Sequence, residues 1–357
     1  MKKQTENRKL EHIRIALKEN VQFREKSTGF EDIAFKDIEL DYQTMPEIDQ
    51  KEINASTEFF GKKFNAPIMV AAITGGVPEA EKINRDIAKA CEELGIGMGL
   101  GSQRAMMENP NMAKTYFVRN IAPHIFLAGN LGITQAKKYS SVEIDEALDD
   151  VEADALALHT NAAQEALQAE GTTDFSLGFE TIKRLQKELK HPFFVKEVGH
   201  GVSANIAKQL EKLKVKAIDV GGAGGTSWTG IDSLRGGAEM KEIGKAFWDF
   251  GIPTAVSVIE TRRVFSGKII ATGGIRSGAD IAKALVLGAD LAGIALPVLQ
   301  AQDFGGAEAV KKYLERIIHE TKIAMFLAGA KNIRELKKKK FITLGKVKQW
   351  TEQKKKK

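Results

Sequence analysis

One run in this chain places several reactive side-chain types at short spacing: HTNAAQE, with His159, Asn161, Gln164 and Glu165. The set is polar and mixed in charge, and Arg104, in Gly101-Ser102-Gln103-Arg104, adds a cation to it. One carboxylate beside donors for a diphosphate suits Mg²⁺, because that ion takes one or two protein carboxylates and fills its other positions with phosphate oxygens and water. Glu165 is the candidate ligand, although a glutamate at a helix start is also favoured by the helix dipole with no metal present. Arg8, Lys9 and His12 stand close together on an amphipathic helix expected over residues 7–18. They have a use if an anion lies nearby and are otherwise a solvated basic face. His159, at the end of an expected strand, is a better candidate than His124, His191 or His319, which read as structural or solvated.

A second stretch, residues 269–296, reads as strand, glycine turn, helix and strand. Ile269 and Ile270 lead into Thr272-Gly273-Gly274-Ile275-Arg276, and Ser277 opens a helix with apolar positions Ile281, Ala284 and Leu285. Backbone N–H groups after such a strand can close on an anion when no Cβ intervenes, and Arg276 adds fixed positive charge. Thr226, Gly273, Gly274 and Arg276, with the backbone at Ala295-Leu296, thus form a candidate phosphate site; two glycines and a surface arginine also fit an ordinary turn. Thr74, Ser102, Asn130 and Lys196 could line a flat ring system, with donors and an ammonium reaching its heteroatoms. Together the two groups point to FMN.

These residues need a scaffold that brings many strand ends to one place, and the chain repeats one unit that does so. Short apolar runs at 68–73, 97–100, 125–128, 155–158, 193–195, 217–220, 269–270 and 291–295 are each followed by a polar or glycine turn. Residues 254–265 are rich in β-branched side chains but also suit a helix after Pro253, and only the helix keeps the strand count at eight. The alternation predicts an α/β fold, a (β/α)8 TIM barrel, whose chemistry sits at the C-terminal strand ends. Residues 229–248 read as an insertion over those ends, and 41–65 as an irregular lead-in. The expected division is an arm and lead-in at 1–66, the FMN-binding barrel at 67–336 and a basic tail at 337–357.

Composition narrows the function classes. The chain has 357 residues, is 43% hydrophobic and 28% charged, and has no apolar run long enough for a membrane span. Its opening, MKKQTENRKLEHIRIAL, has no apolar core followed by a small-residue cleavage site, so a cytoplasmic location is expected. A single cysteine, Cys91, on the apolar face of the first barrel helix, fits a reducing compartment and core packing. The net charge is +6, but residues 337–357 carry +9, leaving −3 for residues 1–336. The basicity belongs to the tail, where lysine runs are usually solvated, and nucleic-acid binding is not expected.

Taken in order, RKxEH at 8–12, ITGG at 73–76, GSQR at 101–104, GN at 129–130, HxNxxQE at 159–165, VKEVGxG at 195–201, DVGGAGGTSW at 219–228 and ATGGIRSG at 271–278 resemble type 2 isopentenyl-diphosphate isomerase. The resemblance covers residues 8 to about 330. It departs from the family pattern at Ala162-Ala163, ahead of Gln164, and it has no counterpart for the lysine-rich end. It implies an FMN- and Mg²⁺-dependent barrel enzyme interconverting isopentenyl and dimethylallyl diphosphate by proton addition and removal at reduced flavin, with NAD(P)H as an activating reductant that is not consumed stoichiometrically. It further implies FMN contacts at Ala72, Ile73, Thr74, Ser102, Asn130, Lys196, Thr226, Gly273, Gly274, Arg276, Ala295 and Leu296. Substrate contacts are implied at Arg8, Lys9, Ser102, Arg104, His159, Asn161 and Gln164, catalytic positions at His159, Gln164 and Lys196, and the metal at Glu165. A homotetramer or homo-octamer is implied as well.

Other FMN barrels are rivals. A 2-hydroxy-acid oxidase needs a histidine and an arginine in the loops of strands six and seven, and the strand-six run GGAGGTSW has no histidine. An IMP-type dehydrogenase needs a loop cysteine, which Cys91 is not. A barrel serving only as a scaffold for a binding tail leaves the polar strand ends unexplained.

Overall fold

The computed structural model of the chain describes residues 2–23 and 35–353; the lysine run at 354–357 lies outside them. Eight parallel strands close in chain order: β1 (Ile68–Val70), β2 (Gly97–Gly99), β3 (Leu127–Gly132), β4 (Ala155–Thr160), β5 (Phe193–Glu197), β6 (Ala217–Asp219), β7 (Lys268–Thr272) and β8 (Leu291–Ile294). Strand β8 returns to β1 through Ala292↔Ile68 and Ile294↔Val70, so the sheet has no open edge. This is the TIM barrel expected from the sequence. Residues Thr254–Val264 are indeed a helix, with Ala255, Val256 and Val258 buried, which is what holds the strand count at eight.

Four strands, β3, β4, β5 and β7, run past their expected ends. The runs Gly129-Asn130-Leu131-Gly132 and His159-Thr160 continue the ladder instead of turning, through Asn130↔Ala157, Gly132↔His159 and His159↔Lys196. Pairing with β4 outweighs the poor strand propensity of Gly and Asn in the first run, and His159 in the second is paired on both sides. As a result Asn130, His159 and Lys196 stand on rigid neighbouring strands, which suits side chains that must hold a fixed geometry.

The lower half of the barrel is filled and the upper half is not. Interior positions Ala128, Ala155, Ala157 and Ala217 are small, and the space is taken by Phe59, Phe64, Phe126 and Phe194. Phe59 meets Phe126 edge-on with centroids 5.3 Å apart. Phe59 and Phe64 come from a hairpin, Thr57–Phe59 with Lys62–Phe64, in the stretch expected to be irregular. Its turn uses positive φ at Phe60 (47°) and Gly61 (78°), a signal that the Phe-Phe-Gly-Lys run carries only weakly.

Two further segments surround the open end, and a third packs on the side of the barrel. The N-terminal helix spans Lys2–Lys18, longer than expected, and residues after it bridge to the strand-six loop through Gln22↔Thr226. The insertion consists of two helices, Trp228–Arg235 and Ala238–Phe247. At the other end of the chain, Phe341–Thr343 pairs antiparallel with Ile38–Leu40, and Val347 of the helix Gly345–Gln353 is buried. Residues 341–353, expected to be part of a basic tail, are therefore folded onto the barrel body.

Candidate active site

All the residues singled out for cofactor, substrate or metal contact line one cavity at the C-terminal strand ends. The glycine-rich wall is built by the loops after β6 and β7. Gly273 has φ +116°, and a Cβ there would stand 2.1 Å from the Gly222 carbonyl oxygen. A Cβ on Gly225 would stand 2.6 Å from the backbone nitrogen of Gly274. The two loops thus meet backbone to backbone, a cradle that any side chain would fill, and this fits a phosphate held by N–H groups. Ser277 caps the helix Gly278–Val286 in a box with Asp280, which orients the loop end. The Arg276 guanidinium donates to the Ile275 carbonyl (2.9 Å) and to Oε1 of Gln22, a residue the sequence did not single out.

On the opposite wall each polar group is fixed by a second one. The Asn130 amide donates to the Leu100 carbonyl (3.0 Å), which turns its Oδ1 toward Nδ1 of His159 at 2.7 Å. An amide oxygen only accepts, so the His159 proton sits on Nδ1 and Nε2 keeps its lone pair. Burial, and then the nearby Lys196 charge, lower the imidazole to about 4, so it is neutral at physiological pH. Lys196 donates to Asp219 (2.9 Å) and to the Glu197 carbonyl (3.0 Å), and both side chains of the ion pair are buried.

The mouth is cationic. Burial and then neighbouring Arg104 lower the Arg8 guanidinium, and burial followed by Arg8 and Arg104 lowers Lys9 to about 7. Asn161 donates to Gln164 Oε1 (3.1 Å) and Glu165 Oε1 (3.0 Å), while the Thr172 amide donates to Glu165 Oε2. Gln164 in turn donates to Oδ2 of Asp232 at 3.0 Å. Asp232 is a hub whose Oδ1 also meets His12 (2.9 Å) and Arg235 (2.7 Å), and Arg235 reaches Glu11 (3.0 Å) and Glu170 (2.7 Å). Burial alone would raise the Asp232 carboxyl; His12, Arg235 and Gln164 hold it below its ordinary value.

Among known proteins, the chain is 45% identical over 355 residues to the isopentenyl-diphosphate delta-isomerase of Thermococcus onnurineus, covering 97% of this chain and 93% of that one. It is 44% identical over 355 residues to the enzyme of that name from Pyrococcus furiosus, covering 97% and 89% of the two chains. The chain belongs to the type 2 isopentenyl-diphosphate delta-isomerase family. The broader FMN-dependent dehydrogenase family model matches residues 1–114 and 130–343. Among solved structures, a flavocytochrome b2 variant with pyruvate bound has a TM-score of 0.69 at 20% identity, covering 92% of this chain and 82% of that one. A mandelate oxidase variant with an FMN adduct has a TM-score of 0.62 at 17% identity, covering 87% and 89%. At such identities these two establish the shared barrel alone.

In the sequence of this isomerase-family chain no motif marks Asp232 or Gln22, and Arg235 stands out only as part of the insertion at 229–248. Asp232 and Arg235 lie in the helix Trp228–Arg235, where an acidic and a basic residue three apart look like a surface pair. Only the tertiary structure shows Asp232 fully buried.

Three buried groups of the isomerase-family barrel set the acid side of its stability. Burial lowers His159 and His200 from 6.5 to about 4 and raises Glu197 from 4.5 to about 7. Between those ordinary values, pH 4.5 to 6.5, the unfolded chain protonates both histidines and ionises the glutamate, whereas the folded barrel does the reverse. The unfolded state then holds one proton more, so stability rises with pH across the window by about 1.4 kcal/mol per unit. The expected result is a melting temperature that falls steadily as buffer is taken from pH 6.5 to 4.5, and a flatter slope in His200→Gln. A melting temperature that rises on acidification contradicts this assignment.

Proposed function

We propose that this chain interconverts isopentenyl diphosphate and dimethylallyl diphosphate on bound FMN, with Mg²⁺ on the diphosphate. The observation that carries this reading is identity of 41–45% over nearly the whole chain to proteins of that name, whose activity would need the cavity described above. When bound, reduced flavin would supply proton-transfer chemistry for a double-bond shift with no net redox change. NAD(P)H then acts as an activating reductant.

The chain's own residues prepare that chemistry. The cradle of Gly225, Gly273 and Gly274 with Thr226 and Arg276 holds the cofactor phosphate, and the backbone at Ala72, Ile73, Ala295 and Leu296 with Thr74 and Ser102 borders the ring. The ammonium of Lys196, held by Asp219, places positive charge where an electron-rich ring is stabilised. Arg8, Lys9 and Arg104 surround the diphosphate with positive charge. Neutral His159 offers its Nε2 lone pair to any proton presented at that wall. Gln164, with its amide gripped at one end by Asn161 and at the other by Asp232, keeps a single orientation at the mouth.

The metal site fits only with the substrate's help. Among the described residues no group of three or more His, Cys, Asp or Glu side chains is placed to hold a metal ion. Glu165 is one carboxylate whose oxygens each accept a single hydrogen bond, so it can take one position on Mg²⁺ while diphosphate oxygens and water fill the rest. Glu165→Ala is expected to lower the rate at fixed low Mg²⁺ by about a hundredfold and to leave FMN content unchanged, the loss of one charged ligand contact being on the order of 2–3 kcal/mol. A variant with an unaltered Mg²⁺ titration removes Glu165 from the metal. A cytoplasmic, homo-oligomeric enzyme completes the reading, and sedimentation velocity reports its assembly state.

A further inference from the structure

The glycine pair after β1, Gly75-Gly76, does not meet the phosphate cradle. A Cβ on Gly75 would stand 2.0 Å from Cε1 of Tyr116, and one on Gly76 would stand 2.8 Å from both the Tyr116 hydroxyl and the Lys9 ammonium. Gly76 also has φ +78°. The space these two residues leave is occupied by a tyrosine and a lysine from distant parts of the chain.

The two side chains form a closed hydrogen-bond set. Tyr116 is fully buried and donates its hydroxyl proton to the Ser102 carbonyl at 2.6 Å. Lys9 Nζ donates to the Tyr116 oxygen (2.9 Å), to the Ser102 carbonyl (3.2 Å) and to the Gly75 carbonyl. Three ammonium protons thus meet three acceptors, two of them backbone oxygens at the ends of β1 and β2. The ammonium also lies 5.5 Å from the Tyr116 ring centroid. Lys9 therefore acts on an anion in the cavity through its charge, with its donors committed to the barrel.

We propose that Tyr116 is a positioning residue for the diphosphate site: its hydroxyl seats the Lys9 ammonium on the β1 and β2 ends and so holds the N-terminal helix closed over the cavity. Burial raises the phenol above its ordinary value, which keeps it protonated as the Ser102 bond requires. Arg8, the neighbour of Lys9 on the same helix, is brought to the mouth by the same seat. The kinetic consequence rests on the isomerase reading; the mechanical one does not.

The test is a double-mutant cycle of Tyr116→Phe and Lys9→Met on the FMN-loaded full chain, read by amide hydrogen exchange of residues 2–18 and by steady-state kinetics with isopentenyl diphosphate. Each single variant is expected to speed exchange of the helix about tenfold, as for loss of one charged hydrogen bond; Tyr116→Phe raises KM about tenfold and Lys9→Met, which also removes a charge from beside the diphosphate, raises it further, with kcat changed less than twofold in both. The double variant is expected to be no worse than Lys9→Met alone, because Tyr116→Phe removes only a seat that Lys9→Met has already emptied. Additive effects, or helix exchange unchanged in Lys9→Met, overturn the proposal. Lys9 lies outside the barrel core, so this second arm decides even if Tyr116→Phe unfolds. Should the wild-type protein not turn over isopentenyl diphosphate, the isomerase reading fails while the exchange arm still judges Tyr116.

Discussion

Lys196→Met is expected to destabilise the protein by about 3–5 kcal/mol and to lower isomerisation by at least about a hundredfold, because it removes one partner of a buried ion pair. Lys196 and Asp219 face each other across β5 and β6 at 2.9 Å, and only 6% and 3% of each residue is exposed. Without the ammonium, the Asp219 carboxylate keeps just the Gly221 amide, at 3.2 Å. Asp219 ends β6 behind the cavity wall and does not line the cavity, so its carboxylate left alone is a buried charge. The double variant Lys196→Met/Asp219→Asn separates the two effects. It should recover most of the stability, since no charge is left unpaired, and should remain inactive, since the positive charge beside the ring is still missing. Urea unfolding and initial rates on FMN-loaded protein measure both. A single variant as stable as the wild type would show that the pair is solvated, and a double variant with wild-type rate would remove Lys196 from catalysis.

Gly225→Val is expected to weaken FMN binding at least about a hundredfold, the loss of two hydrogen bonds to a charged phosphate at about 1.5–3 kcal/mol each. The added Cβ would lie 2.6 Å from the backbone nitrogen of Gly274, and backbone, unlike the end of a long side chain, has nowhere to go. The loops after β6 and β7 must then separate, and their N–H groups no longer converge on one point. Gly237→Ala is the matched control, since a Cβ there meets nothing within 4 Å. Flavin absorbance retained after gel filtration reads the result: colourless Gly225→Val beside yellow Gly237→Ala is expected. Full flavin content in both would place the phosphate elsewhere.

The barrel and its cavity were legible because they rest on local, repeated signals. Each apolar run followed by glycine or polar residues marks a strand and its C-terminal loop, and in a closed barrel all such loops meet at one face, so residues as far apart as Thr74 and Leu296 are brought together by topology alone. What escaped lies where long-range pairing overrides local preference. The Gly129–Gly132 run is extended because β4 pairs with it residue by residue, from Gly129↔Leu156 to Gly132↔His159. The hairpin ending at Phe64 is a strand pair because the alanine-lined barrel interior has room for its phenylalanines. Asp232, Arg235 and Tyr116 carry no motif of their own, and their meaning comes from partners such as His12, 220 residues away from Asp232, and Lys9, 107 away from Tyr116. The lysine-rich end misled for a related reason. Its charge is conspicuous, but what folds it is Val347 in the core and the pairing of Phe341–Thr343 with Ile38–Leu40.

The decisive measurement is anaerobic incubation of the purified protein with isopentenyl diphosphate, FMN, Mg²⁺ and NADPH, following dimethylallyl diphosphate and NADPH together. Many turnovers of product for each NADPH oxidised are the expected result, since the flavin needs reducing once and the double-bond shift consumes no electrons. No dimethylallyl diphosphate from protein that holds reduced FMN, with the flavin instead reduced by a 2-hydroxy acid such as lactate, would contradict the isomerase assignment and return the barrel to the oxidases.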